Sequence, residues 1–184
     1  MRKNSLNRAF AAISIVVGVL LLSPLASSLP TGIGGSSIQT AGCNCHNSNA
    51  DSTVTADIQG FPEQYNASET YRLTISFDGG PSQIGNINLG GFNLWASEGA
   101  FTPTDGLTSL WAGSVNEVVH TEAGNDYKSW VVDWTAPVSG KEVDFILHVN
   151  SVNGDGLQTG QLDQWNRADY TLQSSFGLVG EIIP

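Results

Sequence analysis

What most limits the fold of this chain is an alternation. In four separate runs beyond residue 50, apolar side chains recur at every second position. The runs are Val54, Ala56 and Ile58; Tyr71, Leu73, Ile75 and Phe77; Trp130, Val132 and Trp134; and Val143, Phe145, Leu147 and Val149. A β-strand sends successive side chains to opposite faces, so a period of two builds a sheet with one apolar face that must be covered. Less regular stretches at 87–96, 115–121 and 168–173 predict further strands. Turn chemistry separates the runs at Phe61-Pro62, Asp78-Gly79-Gly80-Pro81, Thr104-Asp105-Gly106, Ala136-Pro137 and Asn153-Gly154-Asp155-Gly156. No stretch after residue 28 repeats with a helical period. The expectation is an all-β fold, an immunoglobulin-like antiparallel β-sandwich preceded by a signal peptide. A closed barrel uses strands of the same pattern and stays open as the second architecture. Gly90-Gly91 inside one run predicts a bulge.

The N-terminus reads as an export signal. Arg2, Lys3 and Arg8 precede an apolar stretch at 9–22, Pro24 interrupts it, and Ala26-Ser27-Ser28 offers small residues for cleavage. The domain boundaries expected are 1–28 for the signal peptide, 29–50 for a flexible leader rich in Gly, Ser and Thr, 51–176 for the sandwich and 177–184 for a C-terminal tail. Location is then extracytoplasmic, secreted or at the cell surface. Membrane association would come only through an uncleaved N-terminal segment or a partner. Beyond residue 28 only four Lys or Arg stand against all seventeen Asp or Glu, which excludes a nucleic-acid partner. That acidity serves solubility or an acidic docking face.

Chemistry concentrates in Cys43-Asn44-Cys45-His46, which holds the only two cysteines of the chain. Covalent haem attachment uses two thiols and an adjacent axial imidazole, usually spaced C-x-x-C-H. Here the thiols are one residue closer, but Cys45-His46 keeps the thiol beside the imidazole. Two thiolates and an imidazole also suit copper or zinc. The third option is a strained C-x-C disulfide. Met1 is the only methionine, so the partner ligand falls to His120 or His148, with His120 favoured at a strand end. Asp155 and Asp163, in the polar stretch 150–167, are possible loop ligands for calcium. Asn66-Ala67-Ser68 makes Asn66 a glycosylation candidate. Trp130 and Trp134 share a strand face and are expected in the core, while Trp165 is the tryptophan expected to bind a ligand. No nucleophile lies at a recognisable spacing from a base, and the glycines fall in turns rather than in a phosphate loop, so no enzymatic activity is expected.

A series of short matches in order resembles the extracellular choice-of-anchor V domain, which is related to reeler-type domains. Thr31-Gly32 precedes the cysteine motif. Ile58-Gln59-Gly60-Phe61-Pro62 leads to Tyr65, and Tyr71-Arg72-Leu73-Thr74-Ile75 to Gly90-Gly91-Phe92. His120-Thr121, Trp130, Trp134-Thr135-Ala136-Pro137 and Phe145 follow, then Asn150, Asn153-Gly154-Asp155-Gly156 and Gly160. The resemblance covers nearly all of 31–174. It implies a secreted or surface-tethered β-sandwich whose C-x-x-C-H motif is taken as a haem c site. This chain departs in a motif shortened by one residue and in a C-terminus without the family's anchor segment.

Two functions follow. The first is a domain that binds haem c, or another metal, through Cys43, Cys45, His46 and His120 and passes electrons to an extracellular redox or surface protein. The second is a cofactor-free adhesion domain with its cysteines oxidised.

Overall fold

The computed structural model describes residues 30–155 and 162–178. The expected signal peptide and residues 179–184 of the expected tail lie outside them. In chain order the elements are a short helix α1 (Ser36–Ala41) and nine strands: β1 (Val54–Gln59), β2 (Thr70–Gly79), β3 (Gly90–Ala96), β4 (Ala100–Pro103), β5 (Thr108–Leu110), β6 (Glu117–His120), β7 (Ser129–Thr135), β8 (Val143–Ser151) and β9 (Gln164–Leu172). One sheet has the order β1-β2-β7-β4 and the other β5-β6-β3-β8-β9, with every pair antiparallel. The all-β sandwich expected from the alternation is what the chain forms.

Register explains why. Leu73 faces Val132 and Ile75 faces Trp130 across β2 and β7, while Phe92 faces Val149 and Leu94 faces Leu147 across β3 and β8. All eight are buried and turn inward. Aromatic contacts tie the sheets together: Phe92 meets Trp130 at 4.7 Å between centroids, and Trp134 meets Phe145 edge-on at 4.9 Å. Both core indoles keep a partner for their N–H, Trp130 on Gly124 O (2.8 Å) and Trp134 on Glu98 O (3.3 Å). The sandwich does not close into a barrel. Among the described residues no ladder joins β1 to β9, and that edge is stitched by side chains instead. The Ile58 N–H donates to Tyr170 OH (3.1 Å), and Asn166 Nδ2 donates to Val54 O (2.6 Å).

Three local expectations are corrected. Residues 30–51 are not a loose leader: they include α1 and lie across the outer face of the five-stranded sheet, from β6 to β9. Gly32 N–H donates to His120 O (2.9 Å), Arg167 Nη1 to Gln39 O (3.0 Å), Trp165 Nε1 to Asn47 O (2.8 Å) and Asp51 N–H to Trp165 O (2.7 Å). A six-residue helix is too short to show a period in sequence, and its one buried residue, Ile38, anchors it. Gly90-Gly91 forms no bulge, since β3 pairs with β8 without interruption from Gly90 to Ala96. The glycines are there for close approach: a Cβ on Gly90 would lie 2.2 Å from Asn150 O, and one on Gly91 2.2 Å from the His120 ring. The polar stretch expected as a loop at 150–167 is shorter, because β8 runs to Ser151 and β9 begins at Gln164.

Candidate functional site

Alternation fixes which side chains the outer face of the five-stranded sheet presents. Asn93 on β3 stands opposite Val119 on one side and His148 on the other, and His148 stands opposite Arg167. Gly91 and Trp165 flank Asn150 in the next row. The leader roofs this face. Glu117 is buried, and its Oε1 accepts from the Gly35 N–H (2.7 Å) and from Asn93 Nδ2 (2.8 Å); Asn93 Nδ2 also donates to Ile33 O (3.2 Å). Gly42 has φ +67° and sits flat on the Trp165 ring, where a Cβ would come within 2.1 Å of it. Trp165, expected in a loop as the tryptophan that binds a ligand, is instead the post on which the leader rests.

At the edge of this roof opens a cavity of about 110 Å³. Cys43, Cys45, His46 and His120 all line it, so the cysteine motif and a histidine distant in sequence share one cavity. Ile33, Ile38, Phe92 and Val152 give it apolar walls, and Asn93 and Asn150 add polar ones. A turn closed by His46 N–H on Cys43 O (3.0 Å) carries the motif. Both thiols are free and unbridged, Cys45 exposed and Cys43 half-buried. Burial, reinforced by the neighbouring Cys45, pushes the Cys43 thiol up to about 12, so it stays protonated at neutral pH.

The two imidazoles are held differently. His46 Nδ1 lies 2.8 Å from Asp163 Oδ2, and Asp163 is fully buried with its Oδ1 accepting from the Asn153 N–H (3.2 Å). His120 replaces the next rung of the β3–β6 ladder with its own ring, Nδ1 sitting 3.1 Å from Phe92 N and 3.2 Å from Phe92 O. Its carbonyl, freed from that rung, receives the leader through Gly32. Burial holds the His120 pKa below its ordinary value; the Phe92 backbone bond opposes this and the nearby His46 adds to it. For both rings Nδ1 is engaged, and neither Nε2 has a hydrogen-bond partner among the described residues.

Other expected residues fall elsewhere. His148 is buried under the leader, 6.1 Å from the Trp165 ring, and burial, with Arg167 adding, pushes its pKa down to about 4. Its Nδ1, with the side-chain oxygens of Asn93 and Asn150, has no protein partner among the described residues. Asp155 takes part in a local turn with Asn153 (2.9 and 3.1 Å). Asp163 has both oxygens occupied within the protein. Asn66 is exposed and does not line the cavity, its amide shared between Glu69 (2.7 Å) and Ser175 (2.8 Å). Among the described residues no three His, Cys, Asp or Glu side chains converge as a metal-holding group, and no helix is long and apolar enough to cross a membrane. Asn93, Glu117 and the His46–Asp163 pairing were not expected from sequence. Only the polar phase of the strands hinted at the first two, and nothing in the spacing of 117 residues hinted at the third.

No family model matches the chain, choice-of-anchor V included, and no curated protein sequence matches it. Among solved structures it is similar to the human F-spondin reeler domain (TM-score 0.44, 19% identity, 68% of this chain and 91% of that one) and to the Reelin-N domain of F-spondin (0.42, 21%, 68% and 88%). It is also similar to AggA, the major subunit of aggregative adherence fimbriae type I from Escherichia coli (0.40, 12%, 70% and 97%).

Proposed function

We propose that this chain is an exported β-sandwich that carries a covalently attached haem at the mouth of the cavity and takes part in electron transfer. The observation behind the reading is that one cavity gathers both thiols of the chain and two of its three histidines. Cys45 and Cys43 would hold the group by thioether bonds, and His46 and His120 would be its nitrogen ligands. When bound, a haem supplies one-electron exchange.

The donor set favours a macrocycle over a bare ion. Copper or zinc needs three or four protein ligands at one point, and no such group forms among the described residues. A porphyrin brings four nitrogens of its own and asks only two imidazoles of the protein. The Gly90-Gly91 backbone and Phe92 provide a flat wall beside His120. At about 110 Å³ the cavity is well below the roughly 300 Å³ at which sites for drug-sized ligands begin, so a macrocycle would be only partly enclosed. An exposed edge is what exchange with an outside partner requires.

The test is a pyridine haemochrome spectrum and an intact mass on protein purified from its native host. An added haem mass with a thioether-type spectrum is the expected result. A colourless protein whose mass is short by two hydrogens would replace this reading with the cofactor-free adhesion domain.

A further inference from the structure

We infer that Asp163 is the positioning residue of this site, holding His46 as the Nδ1–H tautomer with its Nε2 lone pair turned to the cavity. The consequence for an electron-carrying iron rests on the reading proposed above; the tautomer does not.

The argument begins with an anomaly of burial. Asp163 is 0% exposed, in a polar segment where an aspartate has every opportunity to face water. Burying a carboxylate costs several kcal/mol unless a partner offsets it. Among the described residues no lysine or arginine does so: the cationic side chains in ion pairs reach Asp133, Glu98 and Asp169 instead. What meets Asp163 among the described residues is one backbone N–H, from Asn153 at 3.2 Å, and one imidazole, at 2.8 Å, brought from the leader. Each carboxylate oxygen therefore has one donor, and the imidazole is the only ionisable partner among the described residues.

An ionised carboxylate only accepts, so the proton between the two groups belongs to Nδ1. In the neutral ring this leaves a lone pair on Nε2, which has no partner among the described residues, on a side chain that lines the cavity. A carboxylate behind an imidazole fixes both the tautomer and the ring plane and raises the basicity of the far nitrogen. His120 has only a backbone rung behind it, so the two imidazoles are unequal donors. With a haem in place, a carboxylate one hydrogen bond behind its His46 ligand would favour the oxidised iron and lower the potential. A rival role for Asp163 is a latch that merely ties the leader to the start of β9; it uses the same Nδ1–H in the wild type but predicts no change of reduction potential in a variant that keeps the leader tied down.

The experiment is long-range proton–nitrogen NMR of the full chain labelled in histidine, without haem and at neutral pH. The expected spectrum shows His46 with a protonated Nδ1 and a pyridine-type Nε2. In Asp163→Asn, whose amide can still latch the leader, the Nδ1–H signature weakens or is lost in favour of Nε2–H. An Nε2–H tautomer in the wild type, protonation of both nitrogens, or an unchanged signature in Asp163→Asn overturns the inference. The wild-type measurement stands even where a variant fails to fold. Haem-loaded protein then reads the consequence: Asp163→Asn raises the reduction potential. Loss of the haem reading would leave the tautomer result intact, and a wrong tautomer in a haem-bearing protein would sink only the role of Asp163.

Discussion

The outer faces of the two sheets are written in the same code and end in different environments. On the four-stranded sheet, Thr70 faces Thr135, Arg72 faces Asp133 and Ser76 faces Ser129, all polar and none of them buried. On the five-stranded sheet the corresponding positions hold Asn93, Glu117, His148 and Trp165, and every one of them is buried. Some twenty residues of leader make the difference. They cover polar groups that would otherwise face water, and burying such groups costs free energy unless partners are found. The leader's backbone supplies several: Gly35 N–H to Glu117, Ile33 O to Asn93 and Asn47 O to Trp165. Where it supplies none, at Asn93 Oδ1, His148 Nδ1 and Asn150 Oδ1, the face borders the cavity or lies just beneath the roof. One sheet thus spends its polar phase on solubility and the other on building a site.

The largest test of this difference removes the post of the roof. Trp165→Ala deletes the surface under Gly42, the ring beside His148 and the donor to Asn47. Truncating a buried tryptophan costs about 3–5 kcal/mol, to be read from the urea midpoint. The loss should be local in origin, with residues 30–51 becoming cleavable by protease while the sandwich remains folded. A variant with a native midpoint and a protected leader would show that the cover is held by something else.

Acid attacks the covered face before the open one. His148 is buried with its folded pKa pushed down from 6.5 to about 4, chiefly by burial and then by Arg167. The unfolded chain therefore takes up a proton first. Stability falls as pH drops below about 6.5 and stops falling near pH 4, once the folded form is protonated as well. At about 1.4 kcal/mol per pKa unit the loss is on the order of 3 kcal/mol. His120, also held below its usual value, acts in the same direction. Asp133 on the open side is held low by its hydrogen bonds to Arg72, so its share is lost only at more acid pH, below the ordinary 3.8. A series of urea midpoints against pH separates the two windows. His148→Gln should flatten most of the upper one, and a slope there that survives the substitution would reassign it.

The sequence carried the strands well because alternation is a local signal: each inward residue of β2, β7 and β8 was legible from its neighbours two positions away. Cys43, Cys45, His46 and His120 were legible as chemistry, since thiol beside imidazole is itself a local pattern. That they share a cavity was not legible, because it depends on the leader crossing the whole sheet. Its path is set by contacts such as Gly42 on Trp165 and Gly32 on His120, which pair residues about ninety to more than one hundred and twenty positions apart. Composition alone read Gly, Ser and Thr as looseness. In residues 30–51 the glycines serve instead to bring backbone against rings, which a propensity cannot distinguish from flexibility. Asp163 was misread for the same reason: a carboxylate in an Asn- and Gly-rich stretch suggests an exposed ligand, and only tertiary structure shows it facing inward to His46.

The smallest effect belongs to the open face and completes the contrast. Arg72 meets Asp133 through two hydrogen bonds, at 2.9 and 3.1 Å, which is favourable geometry for an ion pair. Yet the Arg72 side chain is 67% exposed, so water and salt screen the pair and compete for both ends. Arg72→Ala should leave the urea midpoint at neutral pH within experimental error. What must change is the acid titration of Asp133: the Arg72 hydrogen bonds hold that carboxyl below its ordinary value, and without them it should move back up toward 3.8. Carbon-detected NMR of the Asp133 carboxyl reads this directly. A clear drop in stability from so exposed a pair would mean that the open sheet also depends on its outer face, and the division of labour between the sheets would fail.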